Sequence, residues 1–131
     1  MKVSEINNLL ELFFERYKLQ DKKSIFLTPL NNNQRSFTWE ETKNNILKLS
    51  KEISNINQKG DRCLLISENR PEWFIADIGI QSIGAVSVGL YPTNPSSEVE
   101  YLLSHSESKI LFAEDQEQVD KALEVIDQLP K

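Results

Sequence analysis

The chain has 131 residues, of which 39% are apolar and 27% are charged, a balance typical of a globular protein rather than a disordered segment. Its 20 acids and 15 bases give a formal charge of −5, which opposes non-specific attraction to nucleic acid and to anionic lipid surfaces. The single cysteine, Cys63, has no partner for an internal disulfide and lies in an apolar run, which predicts a buried, reduced thiol. The amino terminus shows no basic leader followed by an apolar core, so we expect a cytoplasmic protein with one core.

The first forty residues predict an amphipathic helix and a hairpin. Apolar residues recur at helical spacing over residues 3–18, and the broad apolar face they form needs a partner surface. Two uses of that face stay open: a contact between two copies of the chain, as in a homodimer, and the chain's own core, which the pattern favours. Loose alternation over residues 25–30 and 36–39, on either side of a polar turn, indicates a short β-hairpin.

A second helix is predicted directly after the hairpin. Thr38 and Glu41 have the capping-box spacing, in which a hydroxyl and a carboxylate each satisfy an unpaired amide at a helix start. The buried stripe of this helix is expected to extend from Ile46 to Ile56, and Gly60 is expected to close it as a carboxyl-terminal cap.

The centre of the chain predicts a strand, a buried helix and a second strand. Residues 62–67 contain a short continuous apolar strand. Pro71 suits the first position of a helix, and Gly84 can adopt the left-handed conformation that ends one, so the next helix is expected over residues 71–83. Residues 85–90 are almost entirely apolar, as in a parallel strand that is covered on both faces.

The last third predicts two further helices around a strand. Ser97 and Glu100 repeat the capping-box spacing at the start of a short helix. A strand is expected over residues 109–113, and Asp115 can cap a final helix that continues to Pro130.

This order of elements predicts an α/β fold. Strands that alternate with helices imply right-handed crossovers and a parallel sheet with helices on both faces. We therefore expect a partial doubly wound parallel sheet of about three strands with flanking helices, preceded by the amphipathic helix and the short β-hairpin. Residues 1–131 are expected to form a single subdomain, and its unpaired sheet edge suggests a part of a larger fold.

Ligands of open parallel sheets bind beyond the carboxyl ends of the strands, which here are followed by residues 67–71, 91–97 and 114–116. None of these segments carries a complete catalytic set. An anion could bind at the helix start over residues 96–99, although capping of the loop explains the same hydroxyls and amides at least as well.

Several other residues resemble functional groups but have a simpler structural explanation. The pairs Gly79/Gly84 and Gly84/Gly89 have the spacing of a phosphate loop, yet apolar residues follow where a lysine and a hydroxyl would be needed. Asp77 lies in an apolar helix and is expected to be a structural acid that is either solvated or hydrogen-bonded. His105 stands alone near a helix end, where a solvated charge is expected. Glu68, Arg70 and Glu72 flank Pro71 and are expected to form either a surface ion cluster or an interaction at the helix start.

Three segments carry a family resemblance: FTWEETKNNILKLSKEI, KGDRCLLISENRPEWFIADIGIQSIGAVSVGLYPT and VEYLLSHSESKILFAED, which together cover about residues 37–115. They resemble the beginning of an adenylate-forming (AMP-binding) enzyme, specifically a long-chain acyl-CoA synthetase. The NRPEW block, with Asn69, Pro71, Glu72 and Trp73, and the LYPT segment after it favour the long-chain branch. Gly89 departs from the pattern, because the family commonly has proline there.

The resemblance implies a parent enzyme that uses ATP, magnesium and coenzyme A to convert a fatty acid into an acyl adenylate and then an acyl-CoA thioester. The family places this chemistry in a phosphate loop, a nucleotide pocket and a catalytic lysine that no position of this sequence matches. The expected catalytic, cofactor-binding and metal residues of this chain are therefore none. We expect an inactive amino-terminal part whose partner is the remainder of the enzyme, cytoplasmic or peripheral to a membrane; the alternative is a free-standing α/β interaction module.

Overall fold

The computed structural model describes residues 3–129. Its main elements, in chain order, are α1 (Leu9–Leu19), β1 (Ile25–Leu27), β2 (Phe37–Thr38), α2 (Trp39–Ile53), β3 (Arg62–Ile66), α3 (Pro71–Ser82), β4 (Val86–Leu90), α4 (Ser96–Ser106), β5 (Ile110–Ala113) and α5 (Gln116–Val125). Short 3-10 helices span Val3–Glu5 and Ile126–Gln128. Within this part of the chain, no helix is long and apolar enough to cross a bilayer.

The predicted three-stranded parallel sheet is confirmed, with the strand order β4-β3-β5. Leu64 in the central strand lies between Val88 of β4 and Leu111 of β5. Successive residues of β3 point to opposite faces, and Cys63 to Ile66 are all almost completely buried. A short antiparallel pair, β1 with β2, confirms the predicted hairpin.

Helices cover both faces of the sheet, as predicted. On one face Cys63 and Leu65 pack against residues of α2 and α3, including Ile53, Ala76 and Ile80. On the other face, side chains of β3 and β4 pack against α4: Leu64, Ile66, Leu90, Val99 and Leu103. The expectation that β4 is covered on both faces is wrong, because β4 is an edge strand and Val86 is 49% exposed. An apolar run alone does not distinguish an edge strand from a central one.

The amino-terminal helix packs on the outer side of the α2 and α3 layer. Phe13, which is 3% exposed, contacts the rings of Phe26, Trp39 and Phe74, so the apolar face serves the core of the chain. The prediction of one unbroken helix over residues 3–18 is wrong. The extended backbone of Asn8 interrupts it, and the Asn8 side chain caps α1 by accepting a hydrogen bond from the Glu11 amide at 2.8 Å.

The beginning of α2 follows the prediction and its end does not. The Thr38 hydroxyl accepts from the Glu41 amide at 3.1 Å, and the Glu41 carboxylate accepts from the Thr38 amide at 2.9 Å, which confirms the capping box. The helix ends at Ile53, and Ile56, which was expected in the buried stripe, is 60% exposed. Gly60, with φ of +86°, is not its cap but shapes the turn into β3.

The predictions for the remaining helix ends are correct for α3 and for the start of α5 and wrong for the start of α4. Pro71 occupies the first position of α3, and Gly84 follows the helix with φ of +74°, as predicted. Asp115 caps α5 by accepting from the Gln118 amide at 3.1 Å. The second predicted capping box is wrong, because α4 begins at Ser96 after Pro95, which has no side-chain cap. The predicted helix end at Pro130 lies outside the described residues.

Candidate functional site at the carboxyl edge of the sheet

The three segments that follow the strands meet at one edge of the sheet, as the parallel topology requires. The strand register places Ile66 between Leu90 and Ala113, so the chain leaves all three strands at nearly the same level. The site therefore draws on residues that are far apart in sequence but adjacent in the fold.

Glu114, the first residue after β5, connects two of these exits. Its carboxylate accepts a hydrogen bond from the Ser67 hydroxyl at 3.1 Å and another from the Glu68 amide at 2.8 Å. Its side chain is 11% exposed, and the Arg70 guanidinium lies 4.0 Å away. The carboxylate thus holds the turn that leads from β3 into α3 against the end of β5.

The predicted ion cluster around Pro71 forms only in part. Arg70 pairs with Glu72, with 3.0 Å between the guanidinium Nε and the carboxylate, but its other acidic neighbour is Glu114 rather than Glu68. Glu114 lies in one of the three segments that follow the strands but was not among the residues predicted to have a role. Its position directly after an apolar strand, where parallel strands expose their ligand edge, is the signal that identifies it.

A cleft of about 240 Å³ opens between α3 and β5 at this edge. Trp73, Ala76, Leu65 and Phe112 give it an apolar lining, and polar groups from the turn and from Glu114 stand at its rim. Trp73 of the NRPEW block therefore lines the cleft, while Pro71 of the same block starts the helix. The rim groups bond to one another, so the cleft presents an apolar surface rather than an activated nucleophile.

A second recess, of about 500 Å³, lies beside the exits of β4 and β5. Four acids line it, together with one cation, Lys121, whose ammonium donates to the Pro92 carbonyl and to the Gln118 side chain. Carboxylates repel phosphate groups, and the lysine is already bonded. These residues therefore do not fit the triphosphate of ATP.

At the helix start over residues 96–99, considered above as an anion site, two of the expected polar side chains are paired with the chain's own carboxylates. The Asn94 side-chain amide bonds to Glu98, and the Ser96 hydroxyl bonds to Glu124. Asn94 also accepts from the Tyr91 amide at 2.8 Å. The local polar groups thus serve the loop and its helix, and the two carboxylates oppose binding of an anion.

The other candidate residues have structural partners. Asp77 is 7% exposed and accepts hydrogen bonds from Gln81, at 3.0 Å, and from the Ser87 hydroxyl, so it links α3 to β4. Burial and the nearby Asp61 charge raise the pKa of the Cys63 thiol, which keeps it neutral.

His105 and the glycine pairs show no catalytic arrangement either. The exposed His105 ring stacks on Tyr101, with 5.4 Å between the ring centroids. Gly79 lies inside α3 and Gly89 inside β4, so neither glycine pair forms a phosphate loop. Within residues 3–129, no group of three or more acidic, histidine or cysteine side chains is placed to hold a metal ion.

A model of the family described as "AMP-binding enzyme" matches residues 14–131. The chain belongs to the AMP-binding enzyme family. This agrees with the segments that first indicated the resemblance.

Curated relatives include long-chain ligases. The chain is 41% identical over 66 residues to "Long-chain-fatty-acid--CoA ligase ACSBG2" of Xenopus laevis, a match that covers 50% of this chain and 9% of that protein. It is 31% identical over 113 residues to "Long-chain-fatty-acid--CoA ligase FadD15" of Mycobacterium bovis, covering 86% of this chain and 19% of the relative. The chain therefore matches less than a fifth of the length of these relatives.

A solved structure of a CoA ligase contains the same fold. The anthranilate CoA ligase AuaEII, in complex with anthranoyl-AMP, superposes with a TM-score of 0.85 over 99% of this chain and 25% of its own. At 22% identity this likeness shows the fold alone. The predicted α/β fold class is thus confirmed, and this CoA ligase shares it.

Proposed function

We propose that this chain is the amino-terminal subdomain, residues 1–131, of an ATP-dependent long-chain fatty acid–CoA ligase. The observation that carries the proposal is the match of 86% of the chain to 19% of a long-chain ligase. The NRPEW turn and the LYPT exit support the long-chain branch. In the proposed parent, a fatty carboxylate is converted to an acyl adenylate and then to a thioester of coenzyme A.

The role we assign to the subdomain is that of a scaffold. A carboxylate is a poor electrophile, and the parent enzyme needs ATP and magnesium to give it a leaving group. The residues at the carboxyl edge do not fit the phosphates of ATP, because the recess there is lined by acids and its lysine is bonded. Among the described residues, no group of three or more acidic, histidine or cysteine side chains is placed to hold magnesium. We therefore place no catalytic, nucleotide or metal residue in this chain.

The edge of the sheet supports a scaffold role. Within the described residues, β5 pairs with β3 on one side only, and its side chains are all partly exposed. The cleft beside it is apolar, with Trp73 and Phe112 in its lining. Burial of such surface is favourable by about 25 cal/mol per Å², so covering it by the remainder of the ligase would stabilise both parts.

The location and assembly of the parent are further parts of the proposal. We propose that it works in the cytoplasm, or at the surface of a membrane where long-chain fatty acids partition. We also propose that the parent forms a homodimer. Chemical cross-linking tests this, because a dimer gives a product with twice the mass of one chain.

Pyrophosphate exchange tests the proposal directly. The 131-residue chain is incubated with palmitate, magnesium, ATP and labelled pyrophosphate, beside the full-length FadD15 relative as a positive control. We expect no label in ATP above the rate without palmitate. Palmitate-dependent exchange by the chain alone would overturn the scaffold role, and micromolar ATP binding by calorimetry would contradict the absence of a nucleotide site.

A further inference from the structure

A cavity of about 270 Å³ opens on the outer side of the α2 and α3 layer, where α1, β1 and the first turns of α2 and α3 meet. We call it the aromatic cavity, and its lining includes Leu12, Phe13, Arg16, Phe26, Trp39 and Phe74. None of these residues lines the cleft or the recess at the carboxyl edge of the sheet. Small-molecule sites usually occupy about 300–1,000 Å³, so a cavity of this size suits a ligand of one or two rings.

The walls of the cavity are aromatic rings. Phe13 is buried, and the centroid of its ring lies 5.7 Å from that of Trp39 and 5.8 Å from that of Phe74. The ring of Phe26 lies 3.9 Å from that of Trp39, again between centroids. Phe26, Trp39 and Phe74 are only half-buried, so these three rings are accessible from the cavity. A planar aromatic ligand can therefore stack on them and gain more than the burial of apolar area alone.

One cation completes the lining. It ends a stripe of residues that recur at helical spacing along α1 and all line the cavity: Leu9, Leu12, Phe13 and Arg16. Arg16 is exposed, and within residues 3–129 it takes part in no ion pair. A guanidinium is planar and can donate two parallel hydrogen bonds to the oxygens of one anionic group.

The acids of α1 do not neutralise this cation. The Glu11 carboxylate accepts a hydrogen bond from the Asn7 backbone amide at 2.9 Å. The Glu15 carboxylate pairs with Lys18. Among the described residues, no acid lines the aromatic cavity. The cavity thus combines accessible ring faces with one positive charge that has no acidic partner.

We propose that the aromatic cavity binds a planar aromatic anion, such as an aryl sulfonate or an aryl carboxylate. The rings of the ligand stack on the walls, and its anionic group pairs with Arg16. An alkyl anion would bury apolar area but would lose the stacking, and a neutral ring system would leave the guanidinium unpaired. The proposal concerns a second site and not the reaction of the proposed ligase, because the cavity shares no lining residue with the carboxyl edge.

Titration with naphthalenesulfonate tests the proposal on the whole chain. The chain has two tryptophans, of which Trp39 lines the aromatic cavity and Trp73 lines the cleft beside β5. Their indole N–H resonances, assigned with a Trp73→Phe variant, report on the two places separately by NMR. We expect the Trp39 resonance to shift saturably, with a Kd below about 1 mM, and the Trp73 resonance to stay unchanged. A Trp39 resonance that does not shift, or shifts no more than that of Trp73, would overturn the proposal.

Two matched probes separate the rings from the charge. Naphthalenesulfonamide has the same rings without the charge, and decanesulfonate has the same anionic group on an alkyl chain. Naphthalenesulfonamide should bind about tenfold more weakly than naphthalenesulfonate, because it lacks a charge-assisted bond to the guanidinium. Decanesulfonate should bind about fivefold more weakly, because it cannot stack. Decanesulfonate that binds as tightly as naphthalenesulfonate would contradict an aromatic ligand.

Arg16→Gln tests the role of the cation. It should weaken the binding of naphthalenesulfonate about tenfold and leave that of naphthalenesulfonamide within about twofold. The matched control is Lys18→Gln, which removes the same charge from the same helix at a residue that does not line the cavity. The control should stay within about twofold of the parent chain, since exposed charges are screened by salt. Equal losses in the two variants would show general electrostatic attraction and would overturn the assigned site.

Phe74→Leu tests the role of the rings. It keeps an apolar side chain but removes one ring, so naphthalenesulfonate should bind about fivefold more weakly while decanesulfonate is unaffected. Trp73→Leu, at the adjacent residue of α3 that lines the other cleft, should change neither affinity. Thermal melts establish that each variant is folded. Equal effects of Phe74→Leu on the two sulfonates would contradict stacking. A sulfonate has no carboxyl group to activate, so none of these outcomes depends on the ligase proposal.

Discussion

Replacement of Glu114 by alanine should loosen the turn that carries the NRPEW block. The carboxylate accepts from the Ser67 hydroxyl and from the Glu68 amide, and its side chain is 11% exposed. Hydrogen bonds to a charged group contribute about 1.5–3 kcal/mol each, but water reaches both donors once the side chain is removed. We therefore expect Glu114→Ala to lower the free energy of unfolding by about 2 kcal/mol in total.

This loss of unfolding free energy corresponds to a fall in the melting temperature Tm. An entropy of unfolding of about 2.1 cal/mol/K per residue makes 1 kcal/mol equal to roughly 4 °C for a chain of this size, so Tm should fall by about 7 °C. Glu114→Gln keeps one acceptor oxygen and should lose about half as much, and Ser67→Ala, which removes one donor, should lose about 1 kcal/mol. Differential scanning calorimetry of the three variants measures the series. A Glu114→Ala variant that melts within 1 °C of the parent chain would refute the assigned role.

Three further changes probe the fold. Ile46 of α2 is completely buried in a cluster with Phe13 and Ile78, so Ile46→Ala should lower the free energy of unfolding in urea by about 2–5 kcal/mol, and Ile46→Val by much less. Glu107 ends α4 with φ of +52°, so Glu107→Gly should raise stability by about 1 kcal/mol; a loss would show that its side-chain contacts outweigh the backbone strain. Hydrogen bonds from the Lys109 ammonium and from the Gln58 backbone amide lower the pKa of Asp61. The contribution of Asp61 to the free energy of unfolding is therefore present above the ordinary pKa of the carboxyl and is lost as pH falls through the lowered pKa of the folded state. Asp61→Asn should therefore reduce the fall in the free energy of unfolding at acid pH, measured by urea unfolding at a series of pH values.

The sequence predicted those parts of the fold that depend on local chemistry. The capping box at Thr38 and Glu41 and the position of Pro71 at the start of α3 involve groups within a few residues of each other, and both were correct. The equally local capping box at Ser97 and Glu100 was wrong, because α4 begins earlier, at Ser96 after Pro95. The end of α2 was wrong because a tertiary contact decides it. Asn57, which lies inside the span that Gly60 was expected to close, instead turns inward and donates to the Cys63 sulfur at 3.0 Å.

The candidate site was predictable in location but not in detail. Parallel topology identified the edge where the strand exits meet, yet strand order cannot be read from periodicity. The bond between Glu114 and the Glu68 amide joins residues 46 positions apart, which only the pairing of β3 with β5 brings together. The exposure of β4 was missed for the same reason, since Val86 is an edge residue by strand order rather than by residue type.

A chimera tests the scaffold role most directly. This chain replaces the matching amino-terminal segment of the FadD15 relative, and palmitoyl-CoA formation is measured with ATP, magnesium and coenzyme A. Thermal melting is recorded beside it, with the relative lacking that segment as the matched control. We predict that the chimera forms thioester well above the deletion variant. A chimera that melts cooperatively at the temperature of the intact relative, but is no more active than the deletion variant, would contradict the account.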